Sequence, residues 1–170
     1  MRRKKRGNPV HGWLVVDKGL NITSAKVVSI AKKILNAEKV GHGGTLDPSA
    51  TGVLPLAFGE ATKTVSYIVE GSKKYNFTIC WGSSTDTDDA DGVVIKTSQV
   101  RPTKIEIEAC LQEFTGNIKQ IPPIYSAIKV DGKRAYTLAR AKMPVDLKPR
   151  SIFVEKFQLI EVIDKDHASF

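Results

Sequence analysis

Fifteen residues constrain this chain more than any others: Gly41-His42-Gly43-Gly44-Thr45-Leu46-Asp47-Pro48-Ser49-Ala50-Thr51-Gly52-Val53-Leu54-Pro55. Four glycines and two prolines in so short a run exclude a helix or a long strand and dictate a built loop that feeds a short strand. Glycine admits positive φ and lets the backbone approach a ligand closely. Pro48 drives Asp47 away from helical geometry and towards an extended one. A carboxylate fixed on a glycine-cleared loop suits a nucleophile or general base. It equally suits an Asx-type turn former, because Asp-Pro is a turn dipeptide. On these residues alone both readings stand.

The flanking sequence reads as alternating strands and helices. Trp13 to Val16 is a short apolar run with the character of a buried strand. Thr23 or Ser24 can cap a helix in which Val27, Ile30, Ala31, Ile34 and Leu35 form one apolar face. Lys26, Lys32 and Lys33 fall outside that face and are solvated. After the glycine-rich loop, Val53 to Phe58 reads as a strand. Glu60 to Val69 reads as a short helix with Ala61, Val65, Ile68 and Val69 inward. From Lys74 to Trp81 the pattern alternates, placing Tyr75, Phe77, Ile79 and Trp81 on one face. Aromatics at that spacing ordinarily pack inward. Ser83 to Gly92 is polar and acidic; aligned as an EF-hand it lacks the carboxylates at the first and twelfth positions, so it reads as a surface loop. Val93 to Thr97 is a further strand. Thr103-Lys104-Ile105-Glu106 has capping-box spacing and opens a helix with Ile107, Cys110, Leu111 and Phe114 inward, closed by Gly116. Ser151 to Ile163 is β-prone, Asp164 to Asp166 a turn, and His167 to Phe170 the start of a returning strand. Such alternation, taken alone, argues for a parallel α/β fold.

Charge narrows the partners. The 170 residues carry a formal net charge of +8, with pI about 9.5, which favours a polyanion. Much of the basic character lies in residues 1–10, a disordered arm opening Arg2-Arg3-Lys4-Lys5-Arg6, and in Ile124 to Arg150. There Lys129, Lys133, Arg134, Arg140, Lys142, Lys148 and Arg150 alternate with Tyr125 and Tyr136. Basic side chains interleaved with aromatics suit phosphates and splayed bases. No apolar run reaches the roughly 18 residues of a membrane span, and no apolar h-region follows the basic start. Cys80 and Cys110 lack metal-site spacing and read as reduced, buried residues of a cytoplasmic protein. His11, His42 and His167 are scattered, so no metal set is expected.

The fifteen-residue run resembles the signature loop of the TruB family of tRNA pseudouridine synthases. The likeness extends in order through Gly12-Trp13-Leu14-Val15-Val16-Asp17-Lys18, Gly59-Glu60-Ala61-Thr62-Lys63, Lys74-Tyr75, Thr85-Asp86-Thr87-Asp88-Asp89-Ala90-Asp91-Gly92 and Gln120 to Lys129. It covers about His11 to Phe170, far more than a lone motif. It implies an α+β pseudouridine synthase fold: a mixed, mainly antiparallel sheet with flanking helices, spanning 11–170, with an RNA-gripping insertion at about 124–150. It implies isomerisation of uridine-55 in the T-loop of tRNA by a monomer without cofactor or metal. Asp47 matches the catalytic aspartate, His42 a residue that helps displace the target nucleotide, and Tyr75 the tyrosine that stacks on the target base. Lys18 and Lys129 match lysines near the cleft, and Lys133, Arg134, Arg140 and Arg150 fall in or beside the insertion.

Two departures qualify the likeness. The family's Asp-Lys-Pro-x-Gly-x-Thr-Ser run is here Asp17-Lys18-Gly19-Leu20-Asn21-Ile22-Thr23-Ser24; asparagine tolerates left-handed geometry, so the turn is expected to survive. The family also continues beyond the equivalent of Phe170 with a Ser-Lys-Gly-Thr-Tyr-Ile-Arg-type segment, whose arginine pairs with the catalytic aspartate. Without that charge partner the chain alone is expected to be weakly active or inactive. Two other readings remain: a non-catalytic RNA-binding or tRNA-folding module, and a glycosidic hydrolase. The hydrolase lacks an evident second carboxylate.

Overall fold

The computed structural model describes residues 7–124, 129–130, 132–141 and 143–170. The basic run at 1–6, Tyr125 and Lys142 lie outside the described residues. The chain divides into two compact units, Met1–Lys73 and Lys74–Phe170.

The first unit is a three-stranded antiparallel sheet with a helix on one face. Strand β1 (Gly12–Lys18) leads to helix α1 (Ser24–Ile34), then β2 (Val40–His42) and β3 (Gly52–Phe58). The order is β1-β3-β2, with Gly12 opposite Phe58, Lys18 opposite Gly52 and His42 opposite Leu56. β3 is central because its apolar run can be buried: Leu54, Leu56, Ala57 and Phe58 are almost wholly enclosed. Proline in a central strand costs a ladder hydrogen bond. Pro55 is tolerated because β2 stops at His42; the last bond on that side runs from the Gly43 N–H to the Pro55 carbonyl at 2.8 Å.

Thr23 caps α1, its hydroxyl accepting from the Lys26 N–H at 3.1 Å. The helix closes through Asn36 at φ 44°. The Asn36 and Ala37 N–H groups return to the carbonyls of Lys33 and Lys32, a Schellman closure with asparagine at the left-handed position. Val27 and Ala31 pack on Leu54, Leu56 and Phe58, with Val10, Val16, Val28 and Leu46 around them. The apolar face of α1 is narrower than its periodicity implies. The small sheet covers Val27 and Ala31 and leaves Ile34 75 % exposed. β1 is likewise an edge rather than a buried strand, and Trp13, Leu14 and Val15 are exposed. Beyond β3 a 3-10 turn (Gly59–Thr64) leads into helix α2 (Val65–Glu70), whose Ile68 and Val69 are exposed rather than inward.

The second unit contains β4 (Thr78–Cys80), β5 (Ser83–Thr85), β6 (Val94–Thr97), α3 (Lys104–Leu111), β7 (Gly116–Gln120), β8 (Lys129–Val130), β9 (Lys133–Arg134), α4 (Ala135–Arg140), β10 (Arg150–Val154), β11 (Glu161–Val162) and β12 (His167–Ser169). Its sheets are β11-β12-β4 and the pairs β10-β7, β5-β6 and β8-β9. All these ladders are antiparallel, so the fold is α+β, not parallel α/β. Among the described residues, parallel pairing is limited to an isolated bridge between Asn8 and Ala37 in the first unit. The core gathers Ile107, Ala168 and Phe170 with Ile79, Trp81, Leu111 and Phe157. The Phe170 ring stacks on Phe77 at 5.6 Å and meets Trp81 edge-on at 6.5 Å. Both cysteines are exposed, contrary to expectation. Cys80 points opposite Ile79 on a two-residue period, and α3 turns Ile107 and Leu111 inward rather than Cys110. The capping box at Thr103 and Glu106 forms in full.

Candidate active site

The loop between β2 and β3 raises Asp47 to the surface and fixes the backbone on both sides of it. On one side is Leu46. The Ser24 hydroxyl, 2 % exposed at the first turn of α1, donates to the Leu46 carbonyl and accepts from the Leu46 N–H, each at 2.9 Å. On the other side is Pro48, whose carbonyl accepts the Asn21 N–H at 2.8 Å. Asn21 sits at φ 60°, the left-handed geometry that the departure from glycine required of it. The Ala50 N–H closes a turn onto the Asp47 carbonyl at 3.0 Å. Asp47 itself is exposed, so its carboxylate stands on a pinned backbone and is open to a reactant.

Glycines clear the approach. Gly44 and Gly52 lie at φ 125° and 128°, which other residues rarely adopt. Gly43 is buried, and a Cβ there would come within 3.0 Å of the Ile68 side chain. His42, at the end of β2, donates through Nδ1–H to the Gly44 carbonyl.

Lys18 supports the same framework from inside. It is 1 % exposed, and its ammonium donates to the carbonyls of Gly19 and Ile22, each at 2.9 Å. That braces the turn from which Asn21 reaches Pro48. Lys18 is thereby a brace for the loop.

The remaining residues belong to the second unit. Tyr75 is 67 % exposed and precedes β4, which is shorter than the alternation implied; Ile79 and Trp81 pack on the core, the exposed Phe77 reaches it only by stacking on Phe170, and Tyr75 does not join it. Arg150 opens β10, exposed, and donates to Gln120 Oε1 at 3.1 Å. Lys129, Lys133 and Arg134 lie in the backbone of the β8–β9 hairpin and Arg140 at the end of α4. A cleft of ≈ 550 Å³ between α3 and the Phe157–Leu159 segment contains none of the expected site residues. Among the described residues no cluster of His, Cys, Asp and Glu is arranged to hold a metal, and no helix is long and apolar enough to cross a membrane.

Sequence reasoning missed the roles of Ser24 and Asn21. Thr23 and Ser24 both offered a cap. Since one hydroxyl suffices, the adjacent one was free for a long-range partner, but nothing local names Leu46.

The fold gives the class first. The chain aligns over 99 % of its length with 44 % of a chain in "Structure of H/ACA RNP bound to a substrate RNA containing 2'-deoxyuridine", with a TM-score of 0.61 at 24 % identity, a likeness of fold. Residues 32–170 match the family model for TruB family pseudouridylate synthase (N terminal domain), and the chain belongs to that family. It is 54 % identical over 170 residues to tRNA pseudouridine synthase B of Rhodospirillum rubrum, covering 100 % of this chain and 55 % of that protein. It is 55 % identical over 168 residues to the protein of the same name from Gluconacetobacter diazotrophicus, covering 99 % of this chain and 55 % of that one. The chain spans about half the length of these relatives.

Proposed function

We propose that this chain carries the catalytic aspartate of a tRNA pseudouridine synthase that converts uridine-55 in the T-loop to pseudouridine. The observation that carries the reading is Asp47, exposed between two backbone pins on the glycine-rich loop, in a chain of the TruB family.

The target uridine is extruded from its stack, at a cost of about a few kcal/mol. The Asp47 carboxylate attacks either C6 of the base or C1′ of the ribose. The N1–C1′ bond breaks, the base turns and C5 bonds to C1′; the bond from Asp47 to carbon breaks and frees the carboxylate, the C5 proton leaves to solvent and N1 takes up a proton. Water must be kept out, because it would divert the activated species to hydrolysis. His42 assists the displacement of the nucleotide, and Tyr75 offers an aromatic face to the base. Lys129, Lys133, Arg134, Arg140 and Arg150 supply phosphate contacts to the T-arm, with affinity that falls as salt rises. In this reading the enzyme is a cytoplasmic monomer and its chemistry uses protein groups only.

The test is tritium release from C5-labelled uridine in a T-arm stem-loop. It uses the chain, a form extended past Phe170, and the Asp47→Asn variant of each. Release by the extended form, abolished by Asp47→Asn with binding retained, is the expected result. Binding without release by either form overturns the catalytic reading in favour of an RNA-binding module. Release of free uracil would indicate a hydrolase.

A further inference from the structure

The net charge is unevenly placed. Residues 1–40 hold ten Lys and Arg against two acids, whereas residues 41–170 hold sixteen against sixteen. The whole excess of +8 therefore belongs to the first forty residues, ahead of the glycine-rich loop and outside the basic insertion. Lys18 is buried and takes no part in the outer field. What remains, apart from the basic run at 1–6, is concentrated on α1: Lys26, Lys32 and Lys33 are all exposed, with Lys39 just beyond.

Helix stability accounts for only part of this pattern. Lys32 and Lys33, in the last turn, complement the helix dipole. Lys26 lies in the first turn, where the dipole disfavours a cation, and that turn contains no acidic residue. Among the described residues, no ion pair within 4 Å engages Lys26, Lys32 or Lys33, whereas Lys63 pairs with Glu60 and Lys104 with Glu108. At 3.6 residues per turn, Lys26 and Lys33 stand two turns apart on the side opposite Val27 and Ala31, about 10 Å from one another. Lys32 stands to one side of them. The start of the described chain is tied to the same end of the helix. The Asn8 N–H donates to the Asn36 carbonyl at 2.6 Å, and the Glu38 N–H donates to the Asn8 carbonyl at 3.0 Å.

We infer that the outer face of α1 is a second RNA-contacting surface, which takes the phosphate backbone of tRNA beyond the T-arm. The inference rests on the tRNA reading proposed above. A folded polyanion larger than a hairpin is the partner that a fixed lysine stripe fits, because phosphate contacts need no base sequence.

The test compares the full chain with its Lys26→Gln/Lys32→Gln/Lys33→Gln variant. Glutamine keeps helix propensity close to that of lysine, and circular dichroism checks the fold. A Lys→Arg triple variant restores the charge, and Lys63→Gln serves as a control outside the surface. Binding to a whole tRNA transcript and to an isolated T-arm stem-loop is measured across a salt series. The expected result is a log–log salt slope for whole tRNA shallower by roughly two to three, since each phosphate contact contributes about 0.9. The stem-loop slope stays unchanged and the arginine variant recovers. An unchanged tRNA slope overturns the inference, as does an equal loss on both RNAs, which would assign the lysines to T-arm binding. Loss of binding to anionic phosphatidylserine vesicles with tRNA binding intact overturns it in favour of a membrane surface. If the wild-type chain binds neither RNA, the tRNA reading itself falls; wild-type binding with an unaltered variant removes this inference alone.

Discussion

Replacing Ser24 with alanine tests whether Asp47 is positioned by its neighbours' backbone. The hydroxyl satisfies both the N–H and the carbonyl of Leu46 at 2.9 Å from a site 2 % exposed. Alanine leaves both groups without this partner. An orphaned buried polar group costs about 1–3 kcal/mol; Leu46 is half-buried, so water recovers part of that, and a total of about 2–4 kcal/mol follows. For a chain of this size the corresponding fall in Tm is about 5–15 °C. The variant also frees one of the two pins beside Asp47, and a displacement of about 1 Å at a reacting group can cost 10²-fold in rate. The assays are thermal unfolding, single-turnover tritium release from the T-arm stem-loop in the active form, and hydrogen exchange at the Leu46 amide. Slower release at unchanged stem-loop affinity, with loss of amide protection, is expected. Ser24→Cys, close in volume with a weaker donor, should fall between. A variant that melts within a degree of wild type and retains the Leu46 protection would refute the pinning argument.

Three other outcomes are expected. Gly59→Ala destabilises by more than the roughly 1–2 kcal/mol of left-handed geometry, because at φ 53° its Cβ would fall 2.5 Å from the Val10 carbonyl oxygen; chemical denaturation measures it. Thr103→Ala removes the cap of α3 and costs about 0.5–2 kcal/mol by the same measurement. The Arg101 side chain holds the Asp166 carboxyl below its usual range. The resulting stabilisation is complete above the ordinary carboxylate range and is lost as pH falls through the lowered value. Asp166→Asn should therefore lower Tm at neutral pH and flatten its decline in acid, and parallel wild-type and variant curves would count against the pairing.

The elements legible in the sequence were those with local signals: the Thr23 cap, the Thr103–Glu106 capping box, the apolar β3 and the glycine-rich loop. The strands that went unread or were misplaced are short. β2 and β5 have three residues each, too few to establish a period of two. β7 lay between a 3-10 turn and a Pro-Pro break. Strand direction was illegible for another reason: alternating helices and strands suggested parallel pairing, whereas the partners of β3 are set by contacts distant in sequence. Burial was over-read wherever a small sheet could not cover the whole apolar stripe, as at Ile34. The loop announced Asp47, but its supports, Ser24 and Asn21, lie more than twenty residues away and carry no mark of that role.

The two pins beside Asp47 join uncharged groups: a hydroxyl with an amide, and an amide with a carbonyl. Dissolved ions weaken attraction between exposed charges but have little hold on such bonds. Capture of RNA and presentation of the carboxylate should therefore separate under ionic strength. In the reaction proposed above, added salt would raise the concentration of tRNA needed for half-maximal rate while leaving the rate of the bound complex nearly constant.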